Sequence, residues 1–200
     1  MNAQHTIRRP GEADLESALH ELAALMRLDL SHAERARMMN EAGDLCHEAR
    51  DDDRALLYFD AAIDLYLADG RFAAARAICD KLLEMKPGVV RARCTLAWLA
   101  IACGLFEEAA FRIWDYGEAA LALPRPAIAQ HQLRAMAEEV DEPSVLESIA
   151  NALLNLGDAL AADRIFGLLL SPSGHRPRAY GTPAERDRAI VSRLTPAWSG

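Results

Sequence analysis

No stretch of the 200-residue sequence approaches the roughly 20 uninterrupted apolar residues that a membrane span requires, so no crossing helix is expected. Aromatic residues make up only 6% of the chain, and β-branched residues are sparse beside alanine and leucine. That balance favours helix over strand and points to an all-α protein. The motifs that carry catalysis are missing as well: there is no GxGxxG or GxxxxGK(S/T) phosphate loop, no HExxH and no GxSxG. Cys46 and His47 are adjacent, but neighbouring helical residues point about 100° apart and form no thiolate–imidazole pair unaided. The expectation is a protein that is not an enzyme and needs no cofactor or metal.

Cysteine is scarce too. Cys46, Cys79, Cys94 and Cys103 make no CxxC pair, have no histidine at metal-ligand spacing and fall among apolar residues, so all four are expected as buried free thiols in a reducing compartment. Two arginines near the N-terminus (MNAQHTIRRPGEADLESALHEL) are followed by no apolar stretch of the secretory type. A soluble, unexported, cytoplasmic protein is therefore expected.

What is present is charge and helical periodicity. The formal net charge is -8, and residues 1 to 170 carry 17 Lys/Arg against 28 Asp/Glu, whereas residues 171 to 200 carry 5 against 2. The acidic body repels phosphate backbones, which argues against nucleic acid and favours cationic segments of proteins, although an acidic surface also serves solubility alone. Apolar residues recur at three- and four-residue spacing from Leu15 to Leu170 and predict helices over 12–27, 31–49, 53–68, 72–86, 89–103, 106–121, 126–139, 143–156 and 158–170. The breaks carry local signals. Ser31 with Glu34 forms a capping box, Gly70, Gly104 and Gly157 suit left-handed C-terminal caps, and Pro87-Gly88, Pro124 and Pro143 stop or start helices.

One segment repeats: Gly70-Arg71-Phe72-Ala73-Ala74-Ala75 returns as Gly104-Leu105-Phe106-Glu107-Glu108-Ala109. The offset of 34 residues and the small residue, aromatic and alanine at these places resemble the tetratricopeptide repeat family. Around the first turn, Phe59 and Tyr66 stand where the family has large residues of its first helix, and Pro87 closes the unit. An upstream match runs through Ala42-Gly43, Cys46, Ala55, Phe59 and Ala62, and a downstream one through Ile149-Ala150, Leu153, Gly157, Ala162 and Phe166. The two upstream frames share the helix near 53–68, and the segment from Pro124 to Asp141 fits no frame. The resemblance spans about residues 36–170 and implies a right-handed superhelix of about eight to nine antiparallel helices. It sets a repeat domain at 31–170, preceded by an N-terminal segment and lead helix at 1–30.

Beyond Leu170 the composition changes to SPSGHRPRAYGTP, which is expected to be a flexible basic linker. Thr182-Pro183-Ala184-Glu185 then resembles a capping box that opens a short helix to about Leu194. Ile190, Val191, Leu194 and Trp198 give this tail an apolar side, expected to dock on the repeat body, with a second copy or a partner as the other choices.

The resemblance implies a groove lined by the first helix of each repeat. Polar stripes that would face it are Asn40, Asp44 and His47; Asp60 and Asp64; and Arg91, Cys94 and Trp98. Each stripe is also readable as an ordinary solvated face, and Trp98 as core packing. Asp60 and Asp64 are like charges one turn apart, which costs roughly 0.2–0.5 kcal/mol, and no cation lies three or four residues away. Their positive charge would come from Arg37, Arg76 or a bound peptide. The family's carboxylate clamp places lysine, asparagine and arginine in the groove; aspartates here imply a partner with a basic or mixed-charge segment. The expected function is a protein-binding adaptor or scaffold. A dedicated chaperone, like the small acidic relatives of this fold that guard secretion-system translocators, is the alternative, and a peptide or small-molecule sensor the third. Self-association through an uncapped end is a further expectation.

Overall fold

A computed structural model describes residues 12–25, 27–170, 178–180 and 182–194. Among the described residues there are ten helices and no strand. In chain order they are α1 (Glu12–Leu25), α2 (His32–Glu48), α3 (Asp52–Ala68), α4 (Phe72–Met85), α5 (Val90–Ala102), α6 (Phe106–Ala120), α7 (Ala127–Ala137), α8 (Pro143–Asn155), α9 (Ala159–Leu169) and α10 (Pro183–Leu194). The all-α helical-repeat class is thus borne out, and the nine helices expected before residue 171 are all present with ends shifted by at most two residues. The chain divides into two compact units, residues 1–78 and 79–200, with the boundary inside α4.

In the first unit, α2 begins at the expected capping box. The Glu34 amide donates to Ser31 Oγ at 3.3 Å, and the Ser31 amide donates to Glu34 Oε2 at 2.9 Å. Helices α2 and α3 pack closely against each other. Gly43 faces the Phe59 ring so closely that a Cβ on it would lie 2.6 Å from a ring carbon, well inside contact distance. Around this approach sit Ala36, Met38, Ala42, Cys46, Ala55, Ala62, Ile63 and Leu67, all buried. The small residues let the backbones meet and the large ones fill the remaining space. Helix α1 adds Leu15, Leu19 and Leu22 to the buried set, and Arg54 of α3 binds Glu16 of α1 at 2.7 Å.

The turns share one geometry. Gly70, Gly104 and Gly157 have φ of 70°, 69° and 85°, as the left-handed caps read from the sequence require. At each, the residue after the glycine donates its amide back into the last helical turn: Arg71 to Tyr66, Leu105 to Ala100 and Asp158 to Leu153, at 2.8–2.9 Å. The α2–α3 turn is built the same way on Arg50, which has φ 65° and whose successor Asp51 donates to the Cys46 carbonyl at 2.9 Å.

In the second unit, α5 is buried continuously from Cys94 to Ile101 because α6, α7 and α10 all pack on it. A helix apolar on every side needs cover on every side. Pairing then skips an element: α6 packs directly on α8, where a Cβ on Gly117 would lie 2.8 Å from that of Ala152. The segment that fits no repeat frame is α7, which lies across α5 and α8. It is fixed to the α8–α9 turn by Gln130 Nε2 donating to the Leu156 carbonyl at 2.9 Å and by Arg134 paired with Asp158 at 3.2 Å.

Two expectations are corrected. Cys46, Cys79 and Cys94 are buried free thiols, but Cys103 is exposed, because it caps the C-terminus of α5 and has left the apolar face. Residues 178–180, read as flexible linker, are held to the end of α7: the Arg178 amide donates to the Glu138 carbonyl at 2.8 Å, and Tyr180 Oη donates to Glu139 at 2.7 Å. The rest of that segment, 171–177 and 181, lies outside the described residues.

Candidate partner-binding faces

On α2, Asn40, Asp44 and His47 stand at one-turn intervals and are all half-buried. Asn40 Nδ2 donates to Asp44 Oδ2 at 3.4 Å. His47 Nδ1 lies 2.8 Å from Asp52 Oδ1, across the α2–α3 turn, so the ring is oriented by the next helix. On α3, Asp60 and Asp64 are half-buried one turn apart, and neither carboxylate is free of contacts within the protein. These two faces belong to the more acidic unit: residues 1–78 carry 9 Lys/Arg against 15 Asp/Glu, most of the net charge of the chain.

The third stripe does not form a surface. Trp98 is wholly buried, and its indole N–H donates to Gln132 Oε1 at 2.7 Å. Cys94 is enclosed next to the Tyr116 hydroxyl, and burial pushes its thiol up to about 12. Only Arg91 of this set is partly exposed. Trp98 is therefore a packing residue of the second unit, with no face to offer a ligand, because α7 and α10 cover the side of α5 on which it lies.

The tail residues also sort themselves. The α10 capping box forms, with the Glu185 amide donating to Thr182 Oγ1 at 3.2 Å. Ile190 is buried, Val191 is half-buried, and the Leu194 side chain and Trp198 lie outside the described residues. Among the described residues, polar contacts add to this attachment. Gln132 Nε2 donates to the Arg193 carbonyl at 2.9 Å, and Arg186 donates to the Ile101 carbonyl at 3.2 Å. The Arg193 guanidinium bonds the Ala135 carbonyl at 3.0 Å and pairs with Glu138 and Glu139 at 3.1 and 3.2 Å. Arg193 thus supplies the cation that the C-terminal end of α7 favours. Burial, and then its bond to Glu139, raises the Tyr180 phenol above its ordinary value.

Sequence reasoning passed over Phe111 and Trp114 of α6, whose rings are more than half exposed with centroids 5.9 Å apart. The signal was available, since α6 places these rings opposite the face made by Ala109, Ile113 and Tyr116. Among the described residues no group of three or more His, Cys, Asp or Glu side chains is arranged to hold a metal, and no helix is long and apolar enough to cross a membrane.

Short helices closed by one recurring left-handed turn define a helical-repeat protein, a class whose surfaces are helix faces and whose sites are built on them. Within that class, residues 66–137 match the tetratricopeptide repeat family, which bears out the resemblance read from the sequence over the stretch from the end of α3 through α7. Repeats of this family are non-enzymatic and generally mediate protein–protein interaction. No curated protein matches the chain.

Proposed function

We propose that this protein is a non-enzymatic cytoplasmic adaptor that holds a basic or mixed-charge segment of a partner protein on the polar faces of α2 and α3. The observation that carries the reading is the concentration of acidic charge in residues 1–78, together with half-buried polar groups at Asn40, Asp44, His47, Asp60 and Asp64, each already in contact with other groups of the protein. Side chains already held by neighbours lose little freedom when a ligand arrives, so their contribution to affinity is less eroded by ordering. Acidic charge on the face speeds encounter with a cationic segment and rejects acidic ones.

The test is affinity capture from the native cell with wild-type protein and with Asp44→Asn/Asp60→Asn/Asp64→Asn, helical content being compared by circular dichroism. The reading expects a stoichiometric partner that is released by salt and is absent with the triple variant. A tightly bound small molecule with no protein partner would overturn it.

A further inference from the structure

Helix α6 has two faces that are both ordered in sequence. Ala109, Ile113, Tyr116, Gly117 and Ala120 are buried against α5 and α8. On the opposite side Glu107, Phe111, Trp114, Glu118 and Leu121 are all exposed. Their alternating four- and three-residue spacing is that of a coiled-coil seam, and it runs about 21 Å along the helix. Phe111 is 57%, Trp114 55% and Leu121 50% exposed, so three large apolar side chains stand in line in water. Single exposed apolar residues are ordinary, but an aligned aromatic set is the usual composition of a binding hot spot.

The charges along α6 say what covers this seam. Arg112 is paired with Glu108 and Asp80, and Asp115 with Arg93, all within the second unit. Glu107 and Glu118 are in the seam itself, exposed, about 16 Å apart along the axis. An apolar seam interrupted by two carboxylates matches a helix that is apolar along one stripe and carries Lys or Arg opposite each carboxylate. The same cations suit the exposed indole and phenyl faces, which attract ammonium and guanidinium groups. A second copy of this chain fits poorly, because it brings an equally acidic seam and a net charge of -8 against its like.

We propose that the outward face of α6 is a docking site for a basic amphipathic helix of another protein, with Phe111, Trp114 and Leu121 as apolar anchors and Glu107 and Glu118 as the groups that select cations. This reading and that of the α2 and α3 faces do not depend on each other.

Two synthetic 18-residue helical peptides test it, each with leucine along one seam and either lysine or glutamate flanking it. Binding is read by fluorescence polarisation, and protection of Trp114 by acrylamide quenching in full-length Trp198→Phe protein, where Trp98 is already enclosed. The lysine peptide is expected to bind at least tenfold tighter than the glutamate peptide and to shield Trp114. Phe111→Ser/Trp114→Ser should weaken its binding at least tenfold with helical content unchanged, and Glu107→Lys/Glu118→Lys should reverse the preference between peptides. Equal binding of the lysine peptide to wild-type protein and the double-serine variant would sink the proposal. So would failure of both peptides to bind, or a wild-type dimer in sedimentation that Trp114→Ser dissolves, since the seam would then belong to a second copy.

Discussion

The indole of Trp98 and the side-chain amide of Gln132 form the central link of the second unit: Gln132 accepts from Trp98 Nε1 and donates to the Arg193 carbonyl, so one buried side chain joins α5, α7 and α10. A buried amide that satisfies partners on both sides fixes the packing of three helices at once.

Replacing Gln132 with leucine leaves the Trp98 N–H and the Arg193 carbonyl without this partner in a buried site. The cost is expected at about 1–3 kcal/mol. Urea denaturation should show the loss as a lower midpoint, and limited proteolysis should cut more readily near α10 than in the wild-type protein.

Arg50 does the work of a glycine. Its φ of 65° places its Cβ in the left-handed region, which costs an ordinary residue roughly 1–2 kcal/mol. Arg50→Gly is therefore expected to stabilise the α2–α3 turn by about 1 kcal/mol, a rise of roughly 2–4 °C in melting temperature by calorimetry. Gly104→Ala should do the opposite by a similar amount: nothing lies within 4 Å of the added Cβ, so backbone conformation alone carries the penalty.

Thiol reactivity separates the cysteines. In native protein at mildly alkaline pH, one thiol, Cys103, is expected to react promptly with a disulfide reagent, while Cys46, Cys79 and Cys94 react only on unfolding. Burial raises both the Cys46 and the Cys94 thiols above the ordinary value, the latter to about 12, which withholds the thiolate as well as access. Labelling followed by peptide mapping decides this, and prompt modification of Cys94 would contradict the buried α5.

Acid should weaken the first unit in a defined direction. The Ser31 hydroxyl and amide hold the Glu34 carboxyl below its ordinary value, and the Arg54 amide and side chain do the same for Asp51. Both groups are depressed in the folded state. Their stabilisation is therefore present above the unfolded carboxylate pKa and is lost as pH falls through the lowered folded values, beginning near about pH 4. Melting temperature followed from pH 7 to 3 should drop over that window, and Ser31→Ala should flatten the part due to Glu34.

Most of the fold was legible because its signals are local. Gly70, Gly104, Gly157, the Ser31–Glu34 box and Pro143 each act within a few residues, so they place helix ends without knowledge of the rest. Arg50 gave no such signal, since only the observed backbone reveals a non-glycine residue in a glycine's place. The position of α7, the direct α6–α8 pairing and the attachment of α10 depend on residues far apart in the chain, which periodicity does not report. Trp98 is the instructive case: a stripe through Arg91, Cys94 and Trp98 suggested a groove face, but the unbroken apolar run from Leu96 to Ile101 already called for cover on every side. The polar stripes of α2 and α3 were legible as stripes, while the contacts that tie His47 to Asp52 depend on how the turn folds.

The attachment of α10 sets an order of events during synthesis. Arg186 meets the Ile101 carbonyl across 85 residues of chain, so the helix that completes the cover of α5 is made long after α5 itself. At ribosomal rates of about 5–20 residues per second, α5 waits roughly 4–17 s for that cover. During that interval its apolar flank depends on α6 and α7 for shelter, and the nascent chain is at its most vulnerable to association with its neighbours.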